Sequence, residues 1–153
     1  MVQLKVGNDA PDFEADTDKS KKIKLSAFKG KSTVVLYFYP KDNTPGCTKE
    51  ACSFKDNMER LKSYNISVLG VSTDSVASHQ RFRDKYELNF PLISDNSKSI
   101  ARAYGVLPAG KKTAQRATFL IDKEGIIRHI WPKVKVAGHV DEILNKIQEL
   151  GLE

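Results

Sequence analysis

The residues of this chain best suited to chemistry are two cysteines, Cys47 and Cys52, with four residues between them. Cys47 closes the run Thr44-Pro45-Gly46-Cys47, which reads as the N-cap and first three positions of a helix. Threonine suits an N-cap because its hydroxyl can accept from the second or third helical amide. Proline suits the first position, where no donor is missed. A thiol in the first turn meets unpaired amides and the positive end of the helix dipole, both of which favour an anion. Free cysteine is only a few per cent thiolate at neutral pH, so this placement points to an activated nucleophile. The competing reading is a small buried hydrophobe. The capped position, at a loop-to-helix junction after a strand, favours reactivity for Cys47.

Cys52 is harder to assign. Five steps along an α-helix rotate by ~500° and rise ~7.5 Å, setting the two Cα atoms roughly 8.7 Å apart. A disulfide wants them within about 7 Å. Either Cys52 is structural, or the first turns unwind during a reaction; a helix start containing Gly and Thr suits local opening. The spacing also disfavours a thioredoxin-type exchanger, which shows Cys-x-x-Cys. A copper-delivery protein would want a closer pair and a suitably placed histidine. Structural zinc would need His79, His129 or His139 to join the cysteines, and none is near them in sequence or at a paired ligand spacing.

The elements that must position Cys47 follow from periodicity. Residues 33 to 39, Thr-Val-Val-Leu-Tyr-Phe-Tyr, read as a strand buried on both faces. Pro40 ends it, and residues 42 to 46 are loop chemistry. Phe54, Met58 and Leu61 recur at helical steps, predicting one helix from about Pro45 to Tyr64. A second buried strand covers residues 66 to 72, and Asp74-Ser75 opens a helix reaching about Tyr86. A short strand is read at residues 90 to 94 and a short helix at 97 to 104, closed by Gly105. Residues 117 to 121 and 126 to 131 flank Asp122-Lys123-Glu124-Gly125 as a β-hairpin. The last helix spans about Gly138 to Leu150. The order predicts an α/β, thioredoxin-like fold: a mixed central sheet flanked by helices, with an N-terminal hairpin extension and an inserted helix.

Composition removes several classes. The 153 residues, 40 % of them apolar, fit one domain over residues 1 to 153. No apolar run approaches the roughly 20 residues that cross a bilayer, and the start lacks a secretory stretch. No membrane partner and a cytoplasmic location are the resulting expectations. Twenty-five Lys and Arg against nineteen Asp and Glu give a net charge of +6. The excess lies among acids, with short clusters only at Lys19 to Lys24 and Lys111-Lys112, and neither carries an aromatic platform for bases. A solvated surface rather than a nucleic-acid partner is expected.

The stretch from Tyr37 to Cys52, Tyr-Phe-Tyr-Pro-Lys-Asp-Asn-Thr-Pro-Gly-Cys-Thr-Lys-Glu-Ala-Cys, resembles the active-site segment of the peroxiredoxin Q group, or bacterioferritin comigratory proteins. The pattern Pro-x-x-x-Thr-x-x-Cys falls on Pro40, Thr44 and Cys47. The likeness extends from Ala10-Pro11-Asp12-Phe13 to the stretch from Arg116 to Asp122 and the segment from Trp131 to His139. It implies a peroxidase acting on hydrogen peroxide and organic hydroperoxides without metal or prosthetic group. Cys47 would be the peroxidatic thiol, passing through a sulfenic acid. Cys52 would resolve it as an intramolecular disulfide, which thioredoxin or a similar dithiol reduces. Thr44 would bond the peroxide oxygens, Pro40 would shield the thiolate from water, and Arg116 would stabilise both. Glu50 resembles a supporting acid holding Arg116. No cysteine follows Cys52, which excludes resolution by a C-terminal cysteine across a dimer, and the group's habit implies a monomer.

The residues alone leave plainer readings for each: a helix cap for Thr44, a strand-end cation for Arg116, a first-turn acid for Glu50, a strand end for Pro40. Two other functions also stay open. One is a disulfide exchanger that consumes no peroxide; the other is a redox sensor or holdase whose oxidised Cys47 changes a partner surface.

Overall fold

The β-branched and aromatic run after Ser32 becomes the middle strand of a five-stranded sheet in the computed structural model, which describes residues 4–152. The chain opens with an antiparallel pair, β1 (Glu14–Asp16) and β2 (Lys22–Lys24), and a one-turn 3-10 helix, Leu25–Phe28. The central strand β3 (Thr33–Phe38) leads to α1 (Pro45–Asp56), α2 (Met58–Ser63), β4 (Ile66–Ser72), α3 (Val76–Tyr86), β5 (Leu92–Ser94) and α4 (Ser99–Ala103). The hairpin β6 (Ala117–Ile121) and β7 (Ile127–Trp131) and the final helix α5 (His139–Leu150) complete it. The sheet order is β5-β4-β3-β6-β7. β3 runs parallel to β4 and antiparallel to β6, so the sheet is mixed, as the sequence predicts.

Alternation along β3 divides the core. Val35, Tyr37 and the following Tyr39 face a cluster with Phe54, Leu61, Phe82, Ile143 and Ile147 from α1, α2, α3 and α5. Val34, Leu36 and Phe38 face Ile100, Tyr104 and Phe119 on the other side. All six β3 residues are buried, which fits a strand with no solvated face.

The predicted helix from Pro45 to Tyr64 is two helices. Asn57 breaks it: its side-chain amide donates to the Ser53 carbonyl at 2.8 Å, a local bond that competes with continued helix. The bend still buries Met58 and Leu61. The short helix read at residues 97 to 104 shrinks to Ser99–Ala103, because Lys98 adopts a left-handed conformation at φ 65°. Pro91 precedes β5, which begins only at Leu92.

Candidate active site

The antiparallel pairing of β3 with β6 places Ala117 opposite Phe38. Arg116 therefore emerges beside the loop that joins β3 to α1. Its Nη2 donates to the Cys47 sulfur at 3.3 Å, and its Nη1 donates to Glu50 Oε1 at 2.6 Å. Cys47, Glu50 and Arg116 thus form one contact group, with Cys47 and Glu50 each only 2 % exposed. Cys47 sits at the third helical position after Thr44 and Pro45. A guanidinium donor and the first-turn amides of a helix thus converge on the sulfur.

Thr44 corrects the capping expectation. Its backbone is extended, as an N-cap requires, and its carbonyl accepts from the Thr48 amide at 2.8 Å. Its hydroxyl accepts from neither early helical amide; it donates to the Lys41 carbonyl at 3.1 Å. The side chain fastens the loop, and the first-turn amides keep their field toward Cys47. Pro40 is half-buried just beyond β3. Cys52 lies on the same unbroken helix as Cys47, half-buried, and both cysteines are free thiols.

Burial pushes the Glu50 carboxyl up from its ordinary 4.5 to about 7, against the pull of the Arg116 charge and hydrogen bond. Glu50 Oε2 and the Tyr37 hydroxyl, both buried, have no hydrogen-bond partner among the described residues. The Tyr37 hydroxyl is held well above its ordinary value by burial and then by the nearby Glu50 charge. Tyr37 stacks on Phe54 of α1 with ring centroids 4.6 Å apart, which seats the helix on the sheet.

Sequence reading missed the group that anchors the loop before Cys47. Asp42 Oδ1 accepts from the Tyr39 hydroxyl at 2.6 Å, and Oδ2 accepts from Ser78 Oγ at 2.8 Å. His79 Nδ1 lies 2.7 Å from the same Oδ2, and its Nε2 lies 3.0 Å from the Ile93 carbonyl. Both ring nitrogens lie within hydrogen-bond reach of oxygen partners, which fixes the ring between the loop and β5. The Asp42 amide donates to Asp74 Oδ2 at 2.8 Å. Asp42, Asp74 and His79 have the donor types of a metal site, with ligand atoms within 4.8 Å of one another. Those atoms are already engaged with each other, Tyr39, Ser72 and Ser78, which is the arrangement of a structural network.

The match that decides the family covers residues 6–130, to the AhpC/TSA family. The chain belongs to that family. It is 48 % identical to a putative peroxiredoxin bcp of Coxiella burnetii, over 95 % of this chain and all of that one. The structure of Xylella fastidiosa PrxQ superposes with a TM-score of 0.92 at 34 % identity, covering 99 % of each chain. A structure of the bacterioferritin comigratory protein of Xanthomonas campestris, described for its alkyl peroxide reduction activity, gives 0.84 at 36 % identity over 90 % of each. The fold is therefore the thioredoxin-like one of the peroxiredoxins, with the N-terminal two-stranded pair added. No helix among the described residues is long and apolar enough to cross a membrane.

Proposed function

We propose that this chain is a thiol peroxidase that reduces hydrogen peroxide and organic hydroperoxides, with Cys47 as the nucleophile. The observation that carries the reading is the Arg116 guanidinium donating to the Cys47 sulfur at a helix start. The thiolate attacks one peroxide oxygen, the O–O bond breaks, and water or an alcohol leaves after taking a proton. Cys47 is left as a sulfenic acid. Arg116 receives charge developing on the peroxide oxygens, a contribution that depends on its being positioned beforehand. The Thr44 hydroxyl joins it by exchanging the Lys41 carbonyl for a peroxide oxygen. Pro40 keeps water from the sulfur, and Glu50 fixes the guanidinium.

Cys52 then attacks the sulfenic sulfur, expelling water and forming a Cys47–Cys52 disulfide. Because both cysteines lie on α1, the helix must open for that bond to form. A thioredoxin-like dithiol returns both thiols, which suits a monomeric single domain working in a reducing compartment such as the cytoplasm.

The test is peroxide consumption with a thioredoxin system. Cys47→Ser is expected to abolish turnover, and undiminished turnover in that variant would sink the reading. Peroxide-independent reduction of protein disulfides would instead identify an exchanger.

A further inference from the structure

The sheet topology gathers the positive charge that the linear sequence disperses. Segments 96–121 and 125–140 contain no Asp or Glu. Phe38 pairs with Ala117, Ser72 lies at the matching end of β4, and Trp131 pairs with Thr118. The loops at residues 39–44, 73–75, 107–116 and 132–138 therefore leave the same end of the sheet, the end that holds Cys47. Those loops expose Lys41, Lys111, Lys112, Lys133 and Lys135. None of the five is paired with a carboxylate among the described residues.

The carboxylates within these loops are withdrawn. Asp42 is 6 % exposed and bonded to Tyr39, Ser78 and His79. Asp74 is half-buried and bonded to Ser72 and the Asp42 amide. Asp141 and Glu142, in the first turn of α5 just beyond the last loop, are exposed; Asp141 pairs with Arg60 and Glu142 lies against the His139 ring. At the opposite end of the sheet the signs are mixed: Lys31 and Lys123 stand near Asp122 and Glu124.

We propose that this cationic collar is the docking surface for a dithiol protein whose own cysteines lie in an acidic face. The inference rests on the peroxidase reading and names the partner of its last step. A peroxide spans a few ångströms, whereas loops from four adjacent strands spread over roughly 14 Å, the scale of a protein contact. Unpaired like charges gathered at one end of the molecule steer an oppositely charged partner and raise its association rate. On docking, the reductant's thiolate attacks one sulfur of the Cys47–Cys52 disulfide and the other sulfur leaves as thiolate. The reductant's second thiol then breaks the mixed disulfide. Its two electrons and two protons end on Cys47 and Cys52, and its own cysteines are left as a disulfide.

The experiment compares an acidic thioredoxin with dithiothreitol as electron donor. The proteins are the wild type, the collar variant Lys111→Glu/Lys112→Glu/Lys133→Glu/Lys135→Glu, and the far-end control Lys31→Glu/Lys123→Glu. The collar variant should lose about tenfold or more in kcat/KM for the thioredoxin. Its dithiothreitol-driven peroxide turnover should stay within about twofold of wild type, and the control should match wild type with both donors. Raising salt to about 0.5 M should slow the wild type with thioredoxin and bring it toward the collar variant.

Equal thioredoxin kinetics in the wild type and collar variant would overturn the docking proposal while leaving the peroxidase reading intact. Absence of peroxide turnover with dithiothreitol in the wild type would overturn the reading itself. If the collar variant loses retention of a DNA oligonucleotide yet keeps its thioredoxin kinetics, the surface serves nucleic acid and the proposal fails.

Discussion

A Cβ placed on Gly46 would stand 3.0 Å from Nη2 of Arg116, the nitrogen that donates to the Cys47 sulfur. Gly46 lies in the first turn of α1, where its φ is not positive and backbone freedom is not what the position requires. What the position gives is room for the guanidinium. Gly46→Ala should leave the fold as stable or slightly more so, since alanine is the better helix former. It should push Arg116 off the sulfur by a few tenths of an ångström, and peroxide reduction should slow by about tenfold to a hundredfold. Stopped-flow kinetics beside urea unfolding separates the two effects. An unchanged rate would mean that Arg116 is not held by that gap.

Arg116 has two jobs at one end of its side chain, and only a planar fork does both at once. Arg116→Lys keeps the charge but offers a single ammonium where Nη1 and Nη2 reach Glu50 and Cys47 separately. The second-order rate with hydrogen peroxide should fall by about 10²–10³, the scale for losing one positioned donor to developing charge. Arg116→Met should fall at least as far. A lysine variant with wild-type kinetics would show that charge alone suffices.

Much of this was legible in the sequence, because hydrophobic period and turn residues report on local structure. The run at β3, the hairpin of β6 and β7, and Cys47 in a first helical turn all follow from neighbours in the chain. The antiparallel neighbour of β3 also brings Arg116 to the loop. Long-range polar partners are another matter. Asp42 looks like ordinary loop chemistry, and nothing within a few residues of His79 announces a carboxylate 37 positions away. The direction of the Thr44 hydroxyl was misread for a related reason: a cap signature fixes the backbone, while the side chain takes whichever acceptor the loop offers.

The buried pair of Asp42 and His79 should matter to both stability and rate. His79 is fully buried, and removing its ring leaves Asp42 Oδ2 with Ser78 alone. His79→Leu should cost about 3–5 kcal/mol, the range for breaking one side of a buried pair. At temperatures where the variant is folded, loosening of loop 40–44 should also slow peroxide reduction. Urea unfolding of the two proteins at neutral pH measures the cost, and a loss below about 1 kcal/mol would mean that the pair does not tie the loop down.

The Cys47–Cys52 disulfide requires α1 to open, which makes the oxidised protein locally different from the reduced one. Amide exchange across residues 44–55 should be faster in the disulfide form, while β3 and β4 keep their protection. Cys52→Ser should consume about one equivalent of peroxide and then stall with thioredoxin as donor. Normal cycling of that variant would remove Cys52 from the resolving role, and equal exchange in both redox forms would count against helix opening.

Glu50 gives the protein a pH signature whose sign can be worked out. Burial raises its carboxyl from 4.5 to about 7 in the folded chain, so the folded protein binds that proton more tightly than the unfolded one across that interval. The contribution to stability is then fully present below about 4.5 and is lost as the pH climbs through 7. Glu50→Gln removes the titrating group while retaining a side-chain oxygen for Arg116. Its stability relative to wild type should therefore rise between pH 4.5 and 7 and level off above. Urea midpoints for the two proteins, measured at intervals across that range, give the difference directly, because all other titrating groups are shared. Parallel curves would mean that Arg116, 2.6 Å from Oε1, holds the carboxylate ionised throughout. In that case the ion pair, rather than burial, governs Glu50, and the variant should be less stable than wild type by a similar amount at every pH.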